Sequence, residues 1–178
     1  MNYCLSLFMI LLITSGCSKT TAFEHFKKLD TKQERAATSL QTASIVYKGQ
    51  RTVIISAIYL NHTDPKVYDT NESFLVAFYA KDHSVLQAED NNDSVPVCSL
   101  TLNNKPPLAV KLLEKTDPLR KLMPINNDWN SFYRIDYAKN SDNDLTLELS
   151  DDRSNTTSLL FKKGIKFDPV YIKPGSRR

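Results

Sequence analysis

The side chains that most often perform chemistry in proteins are scarce in this sequence. There are three histidines, and none belongs to a His-x-x-x-His or His-Glu-x-x-His pattern. His62 lies two residues before Asp64, and His83 directly follows Asp82. These pairs would bind a metal only if their loops met, so we interpret the histidines as exposed loop residues. The sequence predicts no metal site and no cofactor.

Two runs of Asp and Asn, at residues 90–93 and 142–144, offer the oxygen ligands that calcium prefers. Neither run has the EF-hand spacing with its central Gly and final Glu. Asp and Asn side chains also hydrogen-bond to the neighbouring backbone and thereby favour turns. We therefore interpret both runs as turns.

A nucleophile with a neighbouring base is not recognisable in the sequence. The four glycines are scattered, so there is neither a Gly-rich phosphate loop nor a Gly-x-Ser-x-Gly motif. Cys98 lies in the apolar context of residues 95–100, which predicts a small buried hydrophobic residue. We predict no catalytic residue and expect that the protein is not an enzyme.

The N-terminus carries a mostly apolar run, residues 5–13, followed by small residues and a cysteine. This run is too short to cross a bilayer, which takes about 20 apolar residues. It fits the core of a signal peptide, about 7 to 15 residues. Residues 13–17, Ile-Thr-Ser-Gly-Cys, resemble the lipobox of bacterial lipoproteins. The resemblance implies that residues 1–16 are a signal peptide and that Cys17 becomes the lipidated first residue.

The same resemblance predicts where the protein is located. One buried acyl chain anchors a protein only marginally, whereas the three chains of a lipoprotein cysteine, including palmitate, anchor it firmly. Ser18 rather than Asp follows Cys17, as in lipoproteins of the outer membrane. We expect a lipid-anchored protein of the bacterial cell envelope, on the outer membrane and facing the periplasm. A secretory signal cut elsewhere near Gly16 and an uncleaved anchor are the alternatives.

The rest of the chain predicts a helix followed by strands. Hydrophobic residues make up 41% and charged residues 24%, as in ordinary globular domains, and the net charge of +3 does not by itself imply nucleic acid. Residues 17–42 are predicted to form a spacer and a helical segment over 22–41, and residues 43–178 a β-domain. The strand-and-turn pattern predicts strands at 44–48, 51–60, 73–80, 95–102, 108–115, 132–138, 145–150 and 158–163. Residues 167–178, with two prolines, are predicted to form an edge strand or extended tail.

The pattern within these strands predicts the fold class. Residues 53–60 and 74–79 are apolar on both faces, which indicates strands covered on both sides. Leu145, Leu147 and Leu149 alternate with polar residues, which indicates one solvent-exposed face. The sequence therefore predicts an antiparallel β-sandwich of immunoglobulin-like architecture, preceded by a short N-terminal helix.

One long connection, residues 118–130, stands out as a candidate interaction loop. Long loops in compact domains are often functional, and Trp and Arg are enriched at interface hot spots. The alternative is that Leu122, Ile125 and Trp129 fold back and cover the core. The candidate interaction residues are Arg120, Leu122, Met123 and Trp129.

Two functional hypotheses follow from the sequence. The first is a non-enzymatic, membrane-anchored lipoprotein that acts as an adaptor or structural subunit, binding an envelope protein through this loop or an open sheet edge. In length and layout the chain resembles small β-sandwich lipoproteins of secretion-system membrane complexes. The alternative is a binding protein for a small apolar or lipid ligand held between the sheets.

Overall fold

The computed structural model describes residues 31–86, 97–125 and 127–164. The predicted signal peptide, Cys17, His25, the acidic run at 90–93 and the predicted C-terminal edge strand lie outside the described residues. The described chain contains helix α1, two strands, the four-residue helix α2, four further strands, a 3-10 helix and three final strands. The bounds are α1 Thr31–Thr38, β1 Gln41–Tyr47, β2 Gln50–Tyr59, α2 Leu60–Thr63, β3 Glu72–Ala80, β4 Val85–Leu86, β5 Val97–Leu102, β6 Ala109–Leu112, the 3-10 helix Pro118–Leu122, β7 Ser131–Tyr137, β8 Asp144–Ser150 and β9 Thr156–Lys162.

The strands form two sheets. The first sheet has the order β1-β2-β3-β7-β6 with every pair antiparallel, and it begins with the meander β1-β2-β3. The second sheet has the order β4-β5-β8-β9, in which only the pair β4 and β5 is parallel. This confirms the predicted mainly antiparallel β-sandwich preceded by a short helix. The eight strands predicted within the described residues are all present, and β4 is an additional strand inside a predicted connection.

A continuous apolar core lies between the two sheets. Phe74 of β3 is at its centre, with ring centroids 5.1 Å from Tyr59, 5.9 Å from Tyr137 and 5.2 Å from Phe161. These rings come from four strands and from both sheets, so they fix how the sheets pack. Strand β8 contributes Leu145, Leu147 and Leu149, all buried, and its other face is more exposed, as the alternation predicted.

The opposite face of the first sheet is covered as well. Ile58 of β2 and Leu75 and Ala77 of β3 point away from the inter-sheet core and are buried in a second cluster. Helix α1 contributes Ala36 to this cluster, and the connection after β6 contributes Leu113 and Met123. The prediction that β2 and β3 are covered on both sides is confirmed.

Two local features differ from the sequence expectation. Gln41 begins strand β1 rather than ending a helix, and the described helix ends at Thr38. The predicted strands 44–48 and 51–60 leave Gly49-Gln50 as the linking pair, and Gly at the first linking position predicts a type II′ turn. Tyr47 in fact pairs with Gln50, and the two linking residues, Lys48 and Gly49, have φ of 48° and 76°. Two positive φ values identify a type I′ turn, which suits the right-handed twist of the strands.

None of the helices in the described residues combines the length and the hydropathy that a membrane span requires.

Candidate functional site

The predicted interaction loop runs across the outer face of the first sheet. Its 3-10 helix starts at Pro118, a residue without a backbone N–H and therefore suited to a first helical turn. Asp117 caps this helix, because its Oδ1 accepts a hydrogen bond from the backbone N–H of Leu119 at 2.9 Å. The cap fixes the direction in which the loop enters the second cluster.

Most of the predicted loop residues pack onto the sheet. The Arg120 guanidinium lies over the Phe132 ring, with Cζ 4.0 Å from the ring centroid. Leu122 is half-buried against the second cluster, and Met123 is only 3% exposed. Ile125 also packs there. For Leu122 and Ile125 the structure therefore matches the alternative interpretation, in which they cover the core.

Trp129 behaves differently from the rest of the loop. Its side chain is 81% exposed, so it does not cover the core. The turn that carries it is well defined, because Asn127 Oδ1 accepts hydrogen bonds from the backbone N–H of Trp129 at 3.1 Å and of Asn130 at 3.0 Å. The indole is thus held in solvent by a fixed turn rather than by packing.

Trp129 borders a groove on the outer face of the first sheet. We call this surface the Trp129 groove. It has a volume of about 490 Å³, within the range of pockets that bind small ligands or inserted side chains. Two hydroxyl groups on its floor, Thr42 Oγ1 and Ser56 Oγ, lie 2.9 Å apart. No residue of the wall carries a formal charge: Thr42, Ile54, Ser56, Tyr79, Ile125, Asn127, Trp129 and Asn130.

The other cluster with chemical potential surrounds Glu72, the first residue of β3. Its carboxylate is fully buried and accepts hydrogen bonds from Tyr59 Oη, from Lys163 Nζ at 2.6 Å and from the backbone N–H of Asn140 at 3.0 Å. Lys163 Nζ also donates to the carbonyl oxygen of Asn140. Lys139 Nζ lies 4.0 Å away. The network joins both sheets to the β7–β8 connection.

Opposing influences act on the pKa of Glu72. Burial, the largest single influence, raises it, but the hydrogen bonds from Lys163, Tyr59 and Asn140, with the positive charge of Lys163, together hold the pKa below its usual value. Burial, and then the hydrogen bond and charge of Glu72, raise the pKa of Tyr59, so the phenol remains a donor. The cluster is a satisfied ion pair suited to fixing structure. Sequence analysis missed it, because residues 72 and 163 share no motif.

Cys98 and the histidines have well-defined surroundings. Cys98 is buried, and burial raises the pKa of its thiol to about 11, which confirms the expected buried residue. His83 is exposed in the turn after β3, as predicted. The prediction was wrong for His62, which is half-buried on α2 because its ring packs edge-on against Tyr59 at 4.7 Å between centroids. Burial lowers the pKa of His62.

The oxygen-rich run at 142–144 is used for hydrogen bonding within the fold. Asn103 Nδ2 donates to Asp142 Oδ2 at 3.0 Å and to the carbonyl oxygen of Asp144 at 3.1 Å. In residues 31–86, 97–125 and 127–164, no three His, Cys, Asp or Glu side chains are grouped so that they could hold a metal ion.

Of the sequence-predicted site residues that the structure describes, Trp129 alone is both exposed and beside a groove. No protein-family model, no curated protein and no solved structure matches this chain.

Proposed function

We propose that the protein is a lipid-anchored lipoprotein of the bacterial cell envelope that acts as a non-enzymatic adaptor, binding a partner protein through the Trp129 groove. The lipobox-like residues 13–17 support the anchor, with Cys17 as the lipidated residue. The observation that carries the adaptor function is the exposed Trp129 beside an uncharged groove. The indole of Trp129 is exposed, so its burial does not stabilise the fold. A partner protein that covered it would bury a large apolar surface, which favours binding.

The groove is suited to docking because its walls are rigid. Thr42, Ser56 and Tyr79 belong to three paired strands of one sheet, and Ile125 is packed in the second cluster. Pre-formed walls lose little side-chain entropy when a partner binds. Since the walls carry no charge, an ion inserted there would lose hydration without gaining a counter-charge. We therefore expect an uncharged partner surface at this position.

Site-specific photo-cross-linking in the anchored, full-length protein tests this function. A photoreactive phenylalanine at position 129 should give one discrete cross-linked protein in native membranes. The matched control position is Leu160, 53% exposed on the second sheet, which should not give that product. Identical products from both positions, or none from position 129, would contradict the docking function.

A small apolar or lipid ligand is the second candidate. The inter-sheet space, where such a ligand was first expected, is occupied by the packed rings around Phe74. The volume of the Trp129 groove favours this face instead. Mass spectrometry of the native protein purified in mild detergent distinguishes the two functions. A lipid that copurifies in stoichiometric amount with the wild type but not with Trp129→Ala supports the ligand hypothesis. A discrete cross-linked protein with no copurified lipid supports the adaptor function.

A further inference from the structure

The two sheets differ in width, and one strand extends beyond the other sheet. The first sheet has five strands and the second has four. Strand β9 lies beside β1 at one margin of the sandwich. On the other side, β7 faces β4 and β5, because Tyr137 Oη donates to the carbonyl of Leu100 at 3.3 Å and the Tyr133 hydroxyl lies near the backbone of Leu86. Strand β6, outside β7, therefore projects past the second sheet.

This projection leaves apolar side chains uncovered on the core-facing side of β6. Val110 packs at the margin of the inter-sheet core, and side chains alternate along a strand. Leu112 consequently lies on the same face as Val110, but it is 59% exposed. The side chains that β2, β3 and β7 direct towards the inter-sheet core are buried. Leu112 of β6 is exposed because the second sheet does not extend as far as β6.

The main chain of β6 also has an unpaired side. In the part of the chain that the structure describes, β6 pairs with β7 alone. The backbone N–H of Leu113 donates to the carbonyl of Phe132 at 2.7 Å. Because inter-strand bonds alternate in an antiparallel ladder, the backbone groups of Lys111 point to β7 and those of Val110 and Leu112 point outwards. An open edge of this kind is a template for an added strand.

The charge at this edge indicates which strand would fit. Lys111 is exposed and lies on the outer face directly across from Arg134, so two cations are neighbours. Arg134 has Asp136 as its counter-charge at 3.1 Å. Among the described residues, no carboxylate forms an ion pair with Lys111. An incoming strand with a carboxylate opposite Lys111 would supply the counter-charge that Lys111 lacks. Pairing of β6 with β6 of a second copy would instead bring two Lys111 side chains together, which disfavours a homodimer.

We propose that the open edge of β6 binds an extended partner segment whose apolar residues, covering Leu112 and the margin at Val110, alternate with acidic residues beside Lys111. Such a segment adds a sixth strand to the first sheet and covers the projecting face. This surface is independent of the Trp129 groove, so its failure would leave the proposed function intact.

Fluorescence anisotropy with synthetic peptides tests the proposal on the folded protein. The probe is a labelled peptide of about seven residues, a typical strand length, in which leucine alternates with glutamate. The matched peptide has lysine in place of glutamate. We expect the glutamate peptide to bind at least about tenfold more tightly, with an affinity that falls as salt is added. Methylation of the backbone nitrogens that face β6 should abolish binding, and methylation of the alternate set should not.

Two variants locate the binding edge. Val110→Pro removes an outward N–H without removing a bond to β7, and Leu112→Glu places a negative charge, which repels the glutamate peptide, at an exposed site. Each variant should lower the affinity for the glutamate peptide by about tenfold or more. Leu160→Glu, which changes a comparably exposed strand leucine on the second sheet, should leave the affinity for the glutamate peptide unchanged. Equal affinity for the two peptides, or unchanged binding in both β6 variants, would overturn the proposal. A dimer seen by sedimentation and lost in Leu112→Glu would also overturn it, in favour of a second copy.

Discussion

At the scale of single residues, Glu72 shows how this sandwich accommodates a buried charge. A carboxylate without partners would lose its hydration at a large cost on burial. The carboxylate of Glu72 accepts hydrogen bonds from Tyr59, Lys163 and the backbone N–H of Asn140. These donors lie on β2, directly after β9 and in the β7–β8 connection. The network therefore fixes the relative position of the two sheets at one end of the sandwich.

Removing the charge of Glu72 should destabilise the fold. In Glu72→Gln the ammonium group of Lys163 stays largely buried without its counter-charge, and we expect the free energy of unfolding to fall by about 2 kcal/mol. The urea midpoint measures this change. Lys139→Gln is the matched control, because Lys139 is half-exposed and 4.0 Å away, and its effect should stay below about 0.5 kcal/mol. Equal midpoints for wild type and Glu72→Gln would show that the network does not stabilise the fold.

The same carboxylate should make stability depend on pH in one direction. Its folded pKa is held below its ordinary value of about 4.3. The stabilisation is then fully present above the ordinary pKa and is lost as the pH falls through the folded pKa. The difference in unfolding free energy between wild type and Glu72→Gln should therefore narrow from pH 7 towards about pH 3. Urea titrations of both proteins across this range provide the measurement, and a difference that widens in acid would contradict the argument.

Residue roles were only partly predictable from the sequence. The burial of Cys98 was predictable, because the residues around it in the sequence are apolar. Glu72 was not, because its partner Lys163 is 91 positions away and only the fold brings them together. Trp129 was undecided between core and surface, since its exposure depends on the turn formed by the Asn127 side chain. That turn is visible only when its hydrogen bonds are known.

At the scale of elements, the connection from β6 to β7 combines a structural part with an exposed part. Met123 is buried, whereas Trp129 stands in solvent. Met123→Ala should lower the free energy of unfolding by about 2 to 3 kcal/mol, because it leaves a cavity beneath the loop. Trp129→Ala should change it by less than about 0.5 kcal/mol. Chemical denaturation followed by circular dichroism compares them, and a large loss in Trp129→Ala would place the indole in the fold rather than at an interface.

The β1–β2 hairpin offers a second test at this scale. Lys48 adopts a positive φ of 48°, which costs energy for a long side chain, whereas Asn tolerates this region better. Lys48→Asn should raise the free energy of unfolding by about 0.5 kcal/mol. Gly49→Ala should lower it by about 1 kcal/mol through backbone strain alone, since no atom lies within 4 Å of an added Cβ. Thermal melts of both variants check the turn, and a loss of stability in Lys48→Asn would contradict a positive φ at residue 48.

Strand positions were predictable where the pattern was long. The three leucines of β8 and the apolar runs of β2 and β3 specified both the strand and the face it buries. Strand β4 escaped prediction, because two residues are too few to show an alternation. The partition into sheets of five and four strands was also not predictable, since it depends on long-range pairings such as β3 with β7.

At the scale of the whole molecule, two exposed surfaces differ in what they offer. The Trp129 groove offers uncharged side chains on the outer face of the first sheet. The β6 edge offers unpaired backbone groups and the cation Lys111 at the margin of the same sheet. A tethered protein that engages two partners, or one partner twice, gains from the raised effective concentration of the second contact. Such an adaptor requires that its body remain attached to the membrane.

The anchor is therefore the last prediction. In the full-length protein expressed in a bacterium with two membranes, Cys17→Ala should lose acylation and cleavage before residue 17, because the thiol is the acceptor that the lipobox resemblance implies. Metabolic labelling with a clickable palmitate analogue and intact mass measure both changes. Cys98→Ala is the matched control and should keep the label and the mature mass, since Cys98 is buried in the fold. Equal labelling and unchanged gel mobility in Cys17→Ala, with the protein still in the membrane pellet, would refute the lipoprotein assignment and with it the tethered adaptor.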